Sequence, residues 1–203
     1  IVYNNMGIIP HHFTKELFFN FIRSSELVMV YLNLFAFIIF GNYKWLFVGF
    51  SLIVSAFVNY YLKHNIAVPL FKKYNDVLPI FGPGKRPDGA NDCGYFSNCP
   101  KLPAKSYGFP SGHSQFAGFQ CAFLIKDILY RKTRDGKFRN LSLEDKISVV
   151  VLILLIFAMM YSRVYIEKCH TIQQTIFGAA IGVILGFYSH RFYIEFENNV
   201  IYK

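Results

Sequence analysis

The chain has 203 residues, of which 54% are hydrophobic, 19% aromatic and only 16% charged. That length holds one domain, spanning 1–203, and the shortage of charge with a mean hydropathy of +0.32 excludes an ordinary soluble globular protein in favour of an integral membrane one. The net charge of +9 would suit nucleic acid in a soluble protein. Here the basic residues fall between apolar runs, so the expected partners are the lipid bilayer, its anionic head groups and phosphates, and not nucleic acid.

No cleavable signal peptide is expected, because the first apolar run starts late and lacks a small-residue cleavage pattern. Residues 11–24 mix His11, His12, Lys15, Glu16 and Arg23 with Leu17, Phe18, Phe19, Phe21 and Ile22, the pattern of an amphipathic helix lying in the membrane interface. A first span is predicted over 27–40, short for a bilayer and extendable through Ser24 and Ser25. A tight turn at 41–44 leads to a second span over 45–62, with Trp45 at the interface.

Residues 63–107 form a long polar loop carrying Lys63, Lys72, Lys73, Lys85, Arg86, Lys101 and Lys105 among six prolines. A loop of that length inside a compact domain is usually functional. The third span, 109–129, has Lys126 and Asp127 near its far end, placed to snorkel or pair. A second polar loop, 131–146, ends in Ser142-Leu-Glu-Asp145, a capping-box pattern that starts a helix. The fourth span is 147–161. In the fifth, 171–188, Gly178, Gly182 and Gly186 make a small-residue face for close helix approach. The tail from Ser189 is polar and aromatic. The fold class is therefore all-α, an integral membrane helical bundle of five to six transmembrane helices.

Five crossings place residues 1–26, 63–107 and 162–170 on one side of the membrane. Lys63, Arg86, Ser111, His113, Arg163 and His170 then converge on one face. Ser111-Gly112-His113 opens the third helix behind Pro110. Free backbone N–H groups and the positive end of the helix dipole make an anion site there, and Gly112 lets a phosphate approach the backbone. Ser162-Arg163 ends the fourth helix and His170 begins the fifth. Arg163 can grip a phosphate with two parallel hydrogen bonds, and a neutral imidazole at His170 can attack phosphorus. Gln174, one turn on, lies on the same face and can accept an imidazole N–H.

Cys121 reads as a small packing residue. For Cys93 and Cys99, which share the long loop, a disulfide and two free thiols both stay open. Asn140-Leu-Ser142 is a glycosylation sequon on the side opposite the site and serves as a topology probe. The compact basic loop 131–146 tips the site toward the lumen or exterior.

Together these residues resemble the type 2 phosphatidic acid phosphatase superfamily over about 59–186, with three motifs: a Lys followed by Arg-Pro (Arg86-Pro87), then Pro110-Ser-Gly-His113, then Ser162-Arg163 followed by His170. Tyr107-Gly-Phe-Pro-Ser-Gly-His-Ser-Gln-Phe116 and His170-Thr-Ile-Gln-Gln174 are similar to dolichyl-diphosphate phosphatases, where Gln also replaces the Asp common elsewhere. The chain departs from the pattern twice. Six residues instead of five separate Arg163 from His170, so the loop must bulge by one. Lys63 precedes Arg86 by 23 positions, so Lys63 keeps the lysine role across an insertion or Lys72, Lys73 or Lys85 takes it over; Lys63, at a helix end, is preferred.

The resemblance implies a metal-independent hydrolysis of a polyprenyl diphosphate with no cofactor. His170 would be the nucleophile and form a phosphohistidine, and His113 the general acid. Lys63, Arg86, Arg163, Ser111 and the Gly112 N–H would hold phosphate, and Gln174 would orient His170. It also implies residence in the endoplasmic reticulum or another internal membrane. Other readings are a phosphatidate or related lipid-phosphate phosphatase, a soluble vanadate haloperoxidase (opposed by the apolar spans), and an inactive lipid-binding relative.

Overall fold

A computed structural model describes residues 24–90, 106–133 and 140–201. The interfacial helix expected over 11–24 lies outside them except for Ser24, as do Cys93, Cys99, Lys101 and Lys105. Helix α1, Ser25–Phe40, closes on Gly41 in a left-handed conformation (φ 62°), whose N–H bonds back to Phe37 O. Asn42 then caps α2, Tyr43–Tyr61, by accepting from Lys44 N at 2.9 Å. These two contacts make the expected turn.

The second helix does not stop where the sequence ends its apolar run. It passes through a wide π turn, Leu62–Ala67, into α3, Val68–Lys73. Pro69 sits in the first turn of α3, where a missing N–H is tolerated. The polar loop is thus helical for its first eleven residues, with Lys63 on the π turn rather than in a loop. Two short strands follow, β1 (Val77–Leu78) and β2 (Gly82–Pro83), paired antiparallel.

Helix α4, Gly112–Thr133, is the centre of the bundle. Phe116, Ala117, Phe119, Cys121, Ala122 and Phe123 on it are all buried, and Cys121 is a free thiol, as a packing residue should be. Helix α5, Leu143–Tyr161, starts at the expected capping box, with Ser142 and Asp145 bonded reciprocally. It buries no residue, and Val150, Leu154, Leu155 and Phe157 face outward. Such a surface is insoluble in water and suited to lipid. Helix α6, Ile172–Phe196, runs on into a π turn, Glu197–Ile201. The segment after Ser189, read as a polar tail, is therefore helix. Tyr193 packs between Phe47 and Phe123 and keeps that extension docked.

The most extensive helix contact is α4 against α6. Its cause is the glycine face. A Cβ at Gly178, Gly182 or Gly186 would lie 2.3, 2.0 or 2.4 Å from the carbonyl oxygens of Ser111, Gln115 and Phe119, so the two backbones touch where only hydrogen can fit. At the far end of α4, Asp127 is buried among Lys44 (2.9 Å), Arg131 (3.5 Å) and His190 (3.5 Å). Of the two options for this charge, pairing is the one realised, while Lys126 is exposed.

Among the described residues three helices are long and apolar enough to cross a bilayer: Tyr43–Lys73, Leu143–Ile166 and Ile172–Asn199. The five spans expected from hydropathy differ from this in two places. At 16 residues, α1 reaches about 24 Å, short of a hydrocarbon core of about 30 Å. At 22 residues, α4 is long enough but polar in composition, because its neighbours rather than lipid surround it. The architecture remains an all-α membrane bundle.

Candidate active site

His170 and its surroundings are set by how α5 ends. The helix widens into a π turn, Ser162–Ile166, closed by Glu167 N–H to Ser162 O at 2.8 Å. The N–H groups of Cys169 and His170 then both donate to Arg163 O, at 3.1 and 3.3 Å. A π turn holds one residue more than an α turn. It is the bulge the six-residue spacing called for, and it brings His170 back beside Arg163, which is fully buried.

Thr171 caps α6 and Gln174 completes a capping box with it. The Gln174 amide does more than cap. Its Nε2 donates to Pro83 O at 2.9 Å and Lys85 O at 2.8 Å. Two carbonyls on one side settle which end is nitrogen, so Oε1 is the atom 3.0 Å from His170 Nδ1. An amide oxygen only accepts, so Nδ1 carries the proton and the lone pair sits on Nε2. The α6 backbone adds one more tie: Gln174 O accepts from Ser111 N at 3.0 Å. One residue thus joins all three pieces of the site. Gly108 makes room for it, since a Cβ there would lie 2.3 Å from Gln174 Oε1.

Arg86 reaches the site on a short ribbon formed by the two ends of the long loop. Lys85 bridges Tyr107 in antiparallel fashion, Arg86 N donates to Ser106 O at 3.4 Å, and Gly108 N donates to Gly84 O at 2.9 Å. Asp76 locks the ribbon by binding the Tyr107 hydroxyl and the Lys85 ammonium. These bonds hold the Asp76 carboxyl below the usual range, Lys85 first and Tyr107 second, while they push the Tyr107 phenol up to about 12. Lys85 is more than half exposed and committed to Asp76.

On α4, Ser111 is fully buried with its Oγ 3.1 Å from Ser114 Oγ, and Gly112 is partly buried. His113 Nδ1 lies 3.0 Å from Glu26 Oε1 of α1, both side chains being about nine-tenths buried. Gln115 accepts from Asn59 Nδ2 at 2.8 Å and donates to Ser55 O and Oγ at 2.8 and 2.9 Å. This tie fastens α4 to α2 one turn below Lys63.

The charges complete the picture. His170 is held well below the ordinary histidine value of 6.5, first by burial and then by the positive charges of Arg86 and Lys63, against a smaller opposing effect of the Gln174 bond. His113 acts on it in the same direction. Lys63 in turn lies within electrostatic reach of Arg86 and Glu26, whereas Lys72 and Lys73 are exposed. Of the four lysines left open, Lys63 alone bears on His170. The cluster joins a neutral imidazole with a defined lone pair, two cations beside it, and a second imidazole backed by a carboxylate. That combination can take a phosphoryl group and protonate what leaves.

The pattern of the PAP2 superfamily matches residues 44–197, from the start of α2 to the end of α6. The chain belongs to the PAP2 superfamily. Dolichyldiphosphatase 1 of Dictyostelium discoideum is 37% identical over 87 residues, covering 43% of this chain and 36% of that protein. The chain thus aligns with about a third of that relative's length. No solved structure matches.

Within the PAP2 region the structure gathers Lys63, Arg86, Ser111, His113, His170 and Gln174, with the Arg163 carbonyl bonded to His170 N. Sequence reasoning missed two participants. Asp76 had no motif to mark it. Glu26 precedes the PAP2 match and had one weak signal, a carboxylate standing alone at the head of an apolar run. Cys169 is disulfide-bonded, a state the sequence did not suggest.

Proposed function

We propose that this PAP2 protein is a single-domain membrane phosphatase that hydrolyses a lipid phosphate or diphosphate, a polyprenyl diphosphate in particular, through a phosphohistidine on His170. The observation that carries the reading is the Gln174 amide. It fixes the Nδ1–H tautomer, so that Nε2 is the nucleophile, and it anchors the ribbon carrying Arg86 beside that atom. Nε2 attacks phosphorus, the bond from phosphorus to the leaving oxygen breaks, and His113 gives that oxygen a proton. Lys63, Arg86, Arg163, Ser111 and the Gly112 N–H hold the three phosphoryl oxygens. A water deprotonated by His113 then attacks phosphorus, releases inorganic phosphate and restores His170. Every step uses side chains of this chain, and none calls for a metal or cofactor.

The identity with a protein named dolichyldiphosphatase supports the polyprenyl substrate, with phosphatidate the second reading. Residence in the endoplasmic reticulum or a similar internal membrane goes with that substrate. The Cys169 disulfide, next to His170, supports a site face in the oxidising lumen or exterior.

The test is phosphate release by the reconstituted protein from a polyprenyl diphosphate, a polyprenyl monophosphate and phosphatidate, with lysine variants run in parallel. Lys63→Met should cost about 10²-fold or more and Lys85→Met far less. Absence of release from all three lipids sinks the proposal, and equal losses in the two variants sink the choice of lysine.

The pH profile follows from the burial and charge around His170. A lowered histidine value keeps the imidazole neutral, hence nucleophilic, as the pH drops below 6.5. Activity is lost only on falling through the lower, folded-state value. The acid limb of kcat/KM should therefore lie clearly below 6.5 and move up toward it in Arg86→Gln, which removes one of the two cations. A limb at or above 6.5 in the natural protein contradicts this.

A further inference from the structure

In the proposed reaction His113 donates a proton, which requires its imidazole to be held in one orientation. We infer that Glu26, on α1 and outside the matched PAP2 region, is the positioning residue for His113, completing a Glu–His pair that aims the acid at the leaving oxygen. This rests on the phosphatase reading and adds a residue that none of the three motifs contains.

The geometry has four parts. Glu26 Oε1 is 3.0 Å from His113 Nδ1. A carboxylate oxygen accepts only, so Nδ1 holds its proton and Nε2 is the atom left to exchange one with substrate. Glu26 is only 8% exposed, where an unpaired carboxylate is costly, so its partners define its state. Finally, the approach depends on Gly112: a Cβ there would sit 3.0 Å from Glu26 Oε1 and 3.5 Å from Asn59 Oδ1.

Lys63, on the π turn after α2, lies within electrostatic reach of Glu26, and His170, before α6, within that of Lys63 and His113. Glu26 sets an acceptor oxygen 3.0 Å from Nδ1 of His113. With it, His113 enters the reaction as an imidazolium, Nδ1–H on Glu26 and Nε2–H toward the substrate. As the bond from phosphorus to oxygen breaks, the bonding pair goes to oxygen and the Nε2 proton follows it. His113 is left neutral with Nδ1–H still on Glu26. The logic is that of the carboxylate in a serine-protease triad, which orients and does not itself take the proton.

The test compares the natural full-length protein with Glu26→Gln and Glu26→Asp in vesicles. One substrate is a lipid monophosphate, whose alkoxide needs a proton to leave. The other is an aryl phosphate, whose phenolate leaves without one. Glu26→Gln should lose about 10²-fold in kcat on the lipid, with KM within about twofold. The loss on the aryl phosphate should be only a few-fold. Glu26→Asp should recover part of the rate. Equal losses on both substrates would mean that Glu26 merely supports the fold, and overturn the inference. So would an undiminished Glu26→Gln. A natural protein inert on both substrates and on a polyprenyl diphosphate overturns the phosphatase reading and this inference with it, a result distinct from an active protein indifferent to Glu26. Nitrogen-15 NMR of histidine-labelled natural protein gives a check that needs no variant. His113 should carry a proton on Nδ1 across the active pH range, and a ring protonated on Nε2 alone refutes the pair.

Discussion

His170→Ala should release phosphate from a lipid diphosphate more than about 10⁴-fold more slowly than the natural protein, with no acid-labile phosphoenzyme. Loss of a nucleophile removes the step on which all others depend, so no remaining group compensates. Gln174→Leu should cost about 10²-fold or more with His170 intact. That variant removes the acceptor at 3.0 Å from Nδ1 and the two donations to Pro83 O and Lys85 O. The imidazole then samples both tautomers, and the ribbon bearing Arg86 loses its anchor. Gln174→Asp, the residue common elsewhere in the superfamily, should not rescue the rate. An ionised carboxylate accepts from imidazole but donates nothing to the two carbonyls and repels them. The measurements are kcat and quench-trapped phosphohistidine. A Gln174→Asp protein as fast as the natural one would show that the ribbon contacts are dispensable.

Gly182→Leu should damage both stability and catalysis, with Ala180→Leu as the control. The Cβ at 182 would fall 2.0 Å from Gln115 O and 2.8 Å from Phe119 N. Both are backbone atoms of α4 and cannot rotate away. α4 is also held by Ser111 N to Gln174 O and by the Gln115 bonds to Ser55, so relief must come from separating the helices. Overpacking of this kind costs about 1–3 kcal/mol or more, and a displacement of about 1 Å between His113 and His170 costs about 10²-fold in rate. Ala180 is on the same helix and exposed, so its extra methyl groups meet lipid. Melting temperature in detergent and phosphate release read the two effects. Equal behaviour of the two variants would contradict the glycine contact.

Much of this was legible in the residues themselves. Long apolar runs imply membrane helices whatever packs on them, because backbone polar groups in lipid must bond within their own segment. The cap at Ser142 acts over three residues, so its order in the chain suffices. A four-residue glycine period reports a helix face directly. The expected span over 109–129 is a helix, but its composition is too polar for lipid because protein surrounds it. Helix continues past Tyr188 and Leu62, where the apolar runs end, because polar and Pro residues lower hydropathy without breaking a helix that a π turn can adjust.

The sequence by itself determined the membrane class, the helix starts and the chemical kinds of group present: two histidines, three cations, and a serine at a helix head. Those follow from interactions spanning at most a turn or two of chain. Only the tertiary structure decided which groups meet. Lys63 is preferred over Lys85 because Asp76, nine residues before Lys85, claims the latter. The extra residue before His170 is absorbed by a π turn. Gln174 binds carbonyls about ninety positions earlier, and Glu26 meets a histidine 87 positions away. Contacts of that separation depend on where whole helices come to rest, and here the glycine face between α4 and α6 sets that distance.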